Sequence, residues 1–223
     1  MAGRSARRLL DAIRVALPRL GRPLARNLEL PLLVIGLACL GWVGWAFLDA
    51  HQFQRLASAG ELAVPVLDID GGAVEISEGS VVCRLRIPRV GVEAVVAEGV
   101  SERVLRRAIG HLPGSPLPGR VGNVVLAGHR DTFFRNLEGI RVGDAIHVDS
   151  GAGTDLYLVE WIRVVAPSEV AVLASTEDPA LTLVTCYPFR YIGAAPSRFV
   201  VRARHASGPA GGDGRNRGAA PTA

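Results

Sequence analysis

From Leu30 to Leu48 the chain reads LPLLVIGLACLGWVGWAFL, 19 residues without a charge. As a helix rising about 1.5 Å per residue, this run reaches about 28 Å, close to the roughly 30 Å hydrocarbon core of a bilayer. Gly36, Gly41 and Gly44 are compatible with a membrane helix, and Trp42, Trp45 and Phe47 gather toward one end, where an aromatic belt sits. The apolar region of a cleaved signal peptide is shorter, about 7–15 residues, and ends in a small-x-small site. Leu48-Asp49-Ala50 lacks the small residue two before Ala50. The reading is therefore an uncleaved transmembrane signal anchor over 30–48, with no second span after it.

Charge orients that anchor. Residues 1–29 hold Arg4, Arg7, Arg8, Arg14, Arg19, Arg22 and Arg26 against Asp11 and Glu29, which gives +5. The remaining 18 arginines and 19 acids give −1, so the formal net charge of +4 belongs to the arm. A basic arm before an apolar span predicts a cytoplasmic N-terminus, with everything after residue 48 outside the membrane. A nucleic-acid-binding domain carries its basic stripe on the fold itself, so that function class is excluded. All basic residues are arginine, which leaves no lysine to act as a nucleophile.

The rest divides by texture. Residues 49–80 show no sustained period and read as an extracytoplasmic stalk, and 206–223 are Gly/Pro-rich and read as a disordered tail. Between them, 81–205 reads as the folded domain. Val81–Ile87, Val92–Val96, Asn123–Ala127, Ala145–Val148, Leu156–Val165, Leu181–Thr185 and Arg198–Arg204 have strand character, and Gly110–Gly122 reads as a loop. Ser101 suits the N-cap of a brief helix reaching Ala108. Short, closely spaced strands with turn signals between them predict an all-β barrel or sandwich.

Cys39, Cys83 and Cys186 are far apart and form no Cys-x-x-Cys pair, which gives neither a disulfide framework nor a zinc site. Cys39 falls in the apolar span and Cys83 inside a strand, where a cysteine is usually a small packing residue. Cys186 differs because of its company. Leu126-Ala127-Gly128-His129-Arg130-Asp131 puts a histidine just past one strand, Thr182-Leu183-Val184-Thr185-Cys186-Tyr187-Pro188 puts the cysteine at the end of another, and Pro196-Ser197-Arg198 opens a third with an arginine. A thiol that is mostly protonated at neutral pH gains nucleophilicity from nearby positive charge. Attack on an amide carbonyl gives an oxyanion that an arginine can stabilise while a histidine protonates the leaving amine. His111 is the rival of His129, either lining the site or making a loop-packing hydrogen bond. Arg190 is the rival of Arg198, either a substrate contact or a solvated loop charge. Arg130 and Asp131 can pair with each other or orient the site. His51 and His205 read as solvated flanking residues.

These motifs resemble the sortases, most of all those grouped as class D: Thr-Leu-x-Thr-Cys at 182–186, an arginine twelve residues on, and Pro118-Gly119 leading to His129-Arg130-Asp131. The resemblance implies an eight-stranded β-barrel with short helices, preceded by the one transmembrane helix. It implies Cys186 as nucleophile, His129 as acid/base and Arg198 as the oxyanion arginine; the substrate-binding residues stay open, with His111, Thr185 and Arg190 as candidates. The implied reaction cleaves a C-terminal sorting pentapeptide of the Leu-Pro-X-Thr-Gly/Ala type after its Thr and transfers the acyl group to an amine. Implied partners are surface proteins bearing that signal and an amine acceptor, a cell-wall precursor or a protein amine; no metal and no cofactor is expected. The Asp-Pro-aromatic lid of pilin-polymerising relatives is absent from 49–80. Two other readings compete: a membrane-tethered cysteine peptidase that uses water as acceptor, and a non-catalytic β-barrel binding module.

Overall fold

The computed structural model describes residues 3–58, 76–151 and 153–206, with side chains of the first stretch described over 29–57. Two compact units, 1–49 and 50–223, are described separately. The first is built on helix α1 (Gly3–Ser58). Its segment Glu29–Ala57 is long and apolar enough to cross a membrane, with a mean hydropathy of 2.0 and none of its apolar window buried. Leu32, Leu37, Leu40 and Phe47 are all exposed, as a helix that is apolar on every side requires of its surroundings. Part of the expected stalk, 49–58, continues this helix. The rest of it through residue 75, and nearly all of the expected tail, lie outside the described residues.

The second unit is an eight-stranded closed barrel. The strands are β1 (Val81–Ile87), β2 (Val92–Glu98), β3 (Ile109–His111), β4 (Asn123–Ala127), β5 (Ala145–Ser150), β6 (Gly153–Val165), β7 (Ala180–Tyr187) and β8 (Ser197–His205). They close in the order β1-β2-β3-β4-β7-β8-β6-β5, with β5 returning to β1. Two neighbouring pairs, β2 with β3 and β4 with β7, run parallel; the other pairs are antiparallel. Parallel neighbours need a crossover connection. Helix α2 (Glu102–Leu105) supplies the first, and the whole β5–β6 hairpin lies within the second.

Seven strands fall where the sequence pattern predicts them. The eighth, β3, lies in what reads as the end of a helix and the start of a loop. It is three residues long, and its partners are Val96–Glu98 and Leu126–Ala127, so its strand character comes from pairing and not from local alternation. Gly110 at its centre is required by space: a Cβ there would sit 2.4 Å from the Gly99 carbonyl oxygen.

Alternation fills the barrel from every side. Leu85 and Ile87 of β1, Val96 of β2, Leu126 of β4, Leu181 and Leu183 of β7, and Val201 of β8 are essentially inaccessible. Truncating a buried Leu of this kind costs about 2–5 kcal/mol. Phe134 and Leu137, in the β4–β5 connection, pack into the same core. Tyr157 is buried as well; its hydroxyl accepts the Gly119 N–H at 3.4 Å, and burial pushes its pKa up to about 12.

The outward face of β4, β7 and β8 is partly roofed by the β6–β7 connection. Asn123 Nδ2 donates to the carbonyls of Leu173 and Ala174, each at 3.1 Å, and Thr182 Oγ1 donates to Asn123 Oδ1 at 2.6 Å. Arg202 donates to the Val172 carbonyl at 2.7 Å and lies over the Trp161 ring. Its Nε is buried without a partner, and burial pulls its pKa down. At the start of the unit, Gln54 accepts the Val95 N–H and donates to the Arg107 carbonyl.

Candidate active site

Cys186 and Arg198 are direct cross-strand partners on β7 and β8. Alternation along β7 sends Leu181, Leu183 and Thr185 inward, so Cys186 projects outward, half-buried. On β8 the inward set is Phe199, Val201 and Ala203, which leaves Arg198 on the same outer face as the thiol. Its Nη1 donates to the carbonyls of Ser197 at 3.0 Å and Ala195 at 3.3 Å. The guanidinium is thus held at the strand's mouth by the loop that precedes it.

The third residue arrives through the parallel β4–β7 ladder. Ala127 is level with Val184, and the Gly128 N–H donates to the Val184 carbonyl at 3.2 Å. Thr185 Oγ1 donates to the Gly128 carbonyl at 2.7 Å. Continued for one more pair, this register sets His129 level with Cys186. Gly128 itself admits no side chain, because a Cβ there would lie 2.7 Å from the ring of Phe134. The small residue before the histidine therefore lets the strand end seat against the core.

His129 is about one-third exposed, and its Nε2 lies 3.6 Å from a carboxylate oxygen of Glu102, in the first turn of α2. Sequence reasoning missed Glu102. Its position just after the N-cap Ser101 marks a helix start, yet only the crossover brings that start beside His129. Arg130 was seen but not its task. Its guanidinium donates to the carbonyls of Pro188 at 2.9 Å, Tyr191 at 2.9 Å and Gly193 at 3.0 Å, and it lies 5.7 Å from the Tyr191 ring centroid. One side chain adjoining His129 thus staples the loop that joins Cys186 to Arg198. Tyr187 stacks on Phe199, and Phe189 of that loop meets both rings edge-on.

The remaining candidates are placed elsewhere. His111 is buried on β3; its Nδ1 is 2.6 Å from Glu98, and its Nε2 is 3.0 Å from both the Pro116 carbonyl and Ser115 Oγ. Of its two readings, the structure gives loop packing. Thr185 is likewise buried and points at Gly128. Arg190 is almost fully exposed, with Glu138 at 4.0 Å. His205, expected to be solvated, is half-buried, 3.2 Å from Asp155 and edge-on to Tyr157. Asp131 lines a surface groove together with Arg130.

The three cysteines are free. Cys83 is buried in the barrel, where desolvation, with Asp149 and Asp155 adding to it, pushes its thiol far above the usual range. That leaves it protonated and inert, in contrast to the accessible Cys186. Among the described residues, no group of three or more His, Cys, Asp or Glu is placed to hold a metal ion.

The sortase domain family matches residues 85–206. Sortase D of Bacillus subtilis is 33% identical over 118 residues, which cover 52% of this chain and 60% of that protein. The structure resembles the Clostridium perfringens sortase D5 transpeptidase with a TM-score of 0.55 and 32% identity, over 59% of this chain and 82% of that one. It also resembles a lid mutant of sortase A from Corynebacterium diphtheriae, TM-score 0.55 and 26% identity, over 73% and 92% of the two chains. A matched family domain that takes in more than half the residues, on a closed barrel that brings a cysteine, a histidine and an arginine to one mouth, places this chain in the sortase family.

Proposed function

We propose that the chain is a membrane-anchored cysteine transpeptidase. It cleaves a sorting signal of the Leu-Pro-X-Thr-Gly/Ala type after Thr and joins the released carbonyl to an amine acceptor on the cell envelope. The observation that carries this reading is the cross-strand pairing of Cys186 with Arg198. It aligns a thiol with a permanent cation on one solvent-facing surface of an otherwise rigid sheet.

In the first half-reaction the Cys186 thiolate attacks the Thr carbonyl carbon. The carbonyl electron pair moves onto oxygen, where Arg198 stabilises it by charge-assisted hydrogen bonds. As the C–N bond breaks, His129 gives its proton to the departing amine, and a thioester remains on Cys186. In the second half-reaction the acceptor amine attacks the thioester carbon and yields its proton to His129. The C–S bond breaks, and Cys186 leaves as thiolate. Glu102 steadies the imidazolium form that His129 holds before the first half and regains in the second. Anchoring by α1, with the arginine-rich arm in the cytoplasm, sets the barrel on the outer side, where surface proteins and envelope amines meet.

The test is mass spectrometry of the full chain in detergent with Leu-Pro-X-Thr-Gly and -Ala peptides, with and without an added amine. An acyl adduct on the Cys186 peptide and an amine-dependent ligation product are expected, and Cys186→Ala abolishes both. Product formation that is unchanged in Cys186→Ala, or turnover that yields only hydrolysis at every amine concentration, overturns the reading.

A further inference from the structure

Beside the candidate site lies an open groove of about 1160 Å³, walled by the β4–β5 connection on one side and the β7–β8 loop on the other. It begins one residue after His129, at Arg130, and three residues after Cys186, at Phe189. Its ionic lining is Arg89, Arg130, Arg135 and Arg190 against Asp131 and Glu138, a local balance of +2. The chain after residue 29 has a net charge of −1, so this concentration is local.

The arginines differ in what they are free to do. Arg89 is bound to Asp144 at 3.1 Å, and Arg130 is committed to three loop carbonyls. Among the described residues, Arg135 has no ion-pair partner, and Arg190 has only a long, exposed contact with Glu138 at 4.0 Å. Both line the groove, Arg135 from the β4–β5 connection and Arg190 from the β7–β8 loop, with donors to spare. Two uncommitted guanidinium groups on one groove suit a carboxylate or a phosphate better than any neutral group.

We infer that this groove is the entry site for the acceptor amine, and that it selects acceptors carrying an anionic group beyond the amine. The assignment rests on the transpeptidase reading. It supplies what that reading leaves open, the chemical class of the acceptor. The anion sits between Arg135 and Arg190, and the amine reaches the thioester past Arg130 and Phe189. Glu138 opposes it, which limits affinity and lets product leave.

The experiment uses the full chain in detergent with a Leu-Pro-X-Thr-Gly donor held saturating. Transfer is measured with triglycine and triglycinamide, and with phosphoethanolamine and ethanolamine, at low and high salt. The member of a pair that bears the anion is expected to show a KM roughly threefold to tenfold lower, with the advantage shrinking as salt rises. The first pair reports a carboxylate and the second a phosphate; an advantage in either supports the groove. Arg135→Glu combined with Arg190→Glu brings the two KM values of the pair together, and Glu138→Gln widens the gap. Equal KM values in both pairs for the unaltered chain overturn the assignment, as does a preference that survives the double charge reversal. In both of those outcomes the Cys186 thioester still forms. Failure of the thioester itself overturns the transpeptidase reading and this assignment together.

Discussion

Thr185 Oγ1 donates to the carbonyl of Gly128 at 2.7 Å, and both residues stand one place before the pair that matters, Cys186 and His129. The bond spans 57 residues of sequence and is buried. It fixes the register of two strand ends at the point where their next side chains must meet. Thr185→Val keeps the shape and removes the donor, which leaves a buried carbonyl short of a partner. We predict a loss of about 1–3 kcal/mol in urea unfolding and a fall in kcat for peptide cleavage. Thr185→Ser should restore most of both. Unaltered unfolding and turnover in the Val variant would show that the backbone ladder alone sets the register.

Arg130 makes three carbonyl bonds that diverge from one planar fork. Lysine cannot reproduce them, since its single ammonium sits at the end of a flexible stem. Arg130→Lys and Arg130→Ala are expected to behave alike: amide exchange quickens in 189–195, and KM for the donor peptide rises, while the global unfolding midpoint moves little. Restoration of slow exchange by lysine would count against the staple.

Asn123 is a different kind of tether, because it lies beneath the segment it holds. Asn123→Ala removes two bonds to the Leu173 and Ala174 carbonyls and strands the Thr182 hydroxyl. A loss of about 1–3 kcal/mol is expected, with faster exchange confined to 170–174. Arg202→Met should cost less, since one of the arginine's own buried donors already has no partner. A reversed order of the two variants would refute this account.

Alkaline stability has a defined sign. Cys83 and Tyr157 ionise less readily in the folded barrel than their ordinary values of 9.0 and 10.0, both through burial. Each is protonated in the folded chain when the unfolded chain has already lost its proton. The stabilisation is full below about pH 9 for Cys83 and below about pH 10 for Tyr157, and each is lost as pH rises above that point, by up to about 1.4 kcal/mol per pH unit for each group. For Tyr157 the loss is complete near pH 12. Unfolding free energy measured from pH 8 to 11 should decline, and Cys83→Ala should flatten the curve between pH 9 and 10. A curve of the same slope in that variant would remove Cys83 as a cause.

Cysteine labelling separates the two barrel thiols. Iodoacetamide at pH 8 should modify Cys186 in the folded chain and reach Cys83 only after denaturation, as read by peptide mapping. Equal labelling of both under native conditions would contradict the burial of Cys83.

What the sequence made legible were features with a local signature. The long apolar helix shows as a run of apolar residues, and seven strands show as alternation ended by Pro or Gly. The three motif residues show because each sits at a strand end beside a breaker. Features that depend on who becomes whose neighbour were not legible. Strand β3 is too short to alternate, and Gly110 within it looks like a loop signal when it is in fact demanded by the nearby Gly99 carbonyl. Glu102 and Arg130 read as surface charges; the crossover through α2 and the return of the β7–β8 loop give them their tasks. His111 carries the same letter as His129, but its position facing Glu98 on a parallel strand makes it a structural residue.

Closure of the sheet also governs how a peptide can approach. The strand that carries Cys186, β7, is flanked on both sides, by β4 and β8, so an extended chain cannot join it there as a further strand by borrowing backbone hydrogen bonds. Any peptide that reaches Cys186 must lie across the strands, held by side chains and by the two connections that rise beside the thiol. Selectivity on this reading is written in loops that can change without disturbing the ladder beneath.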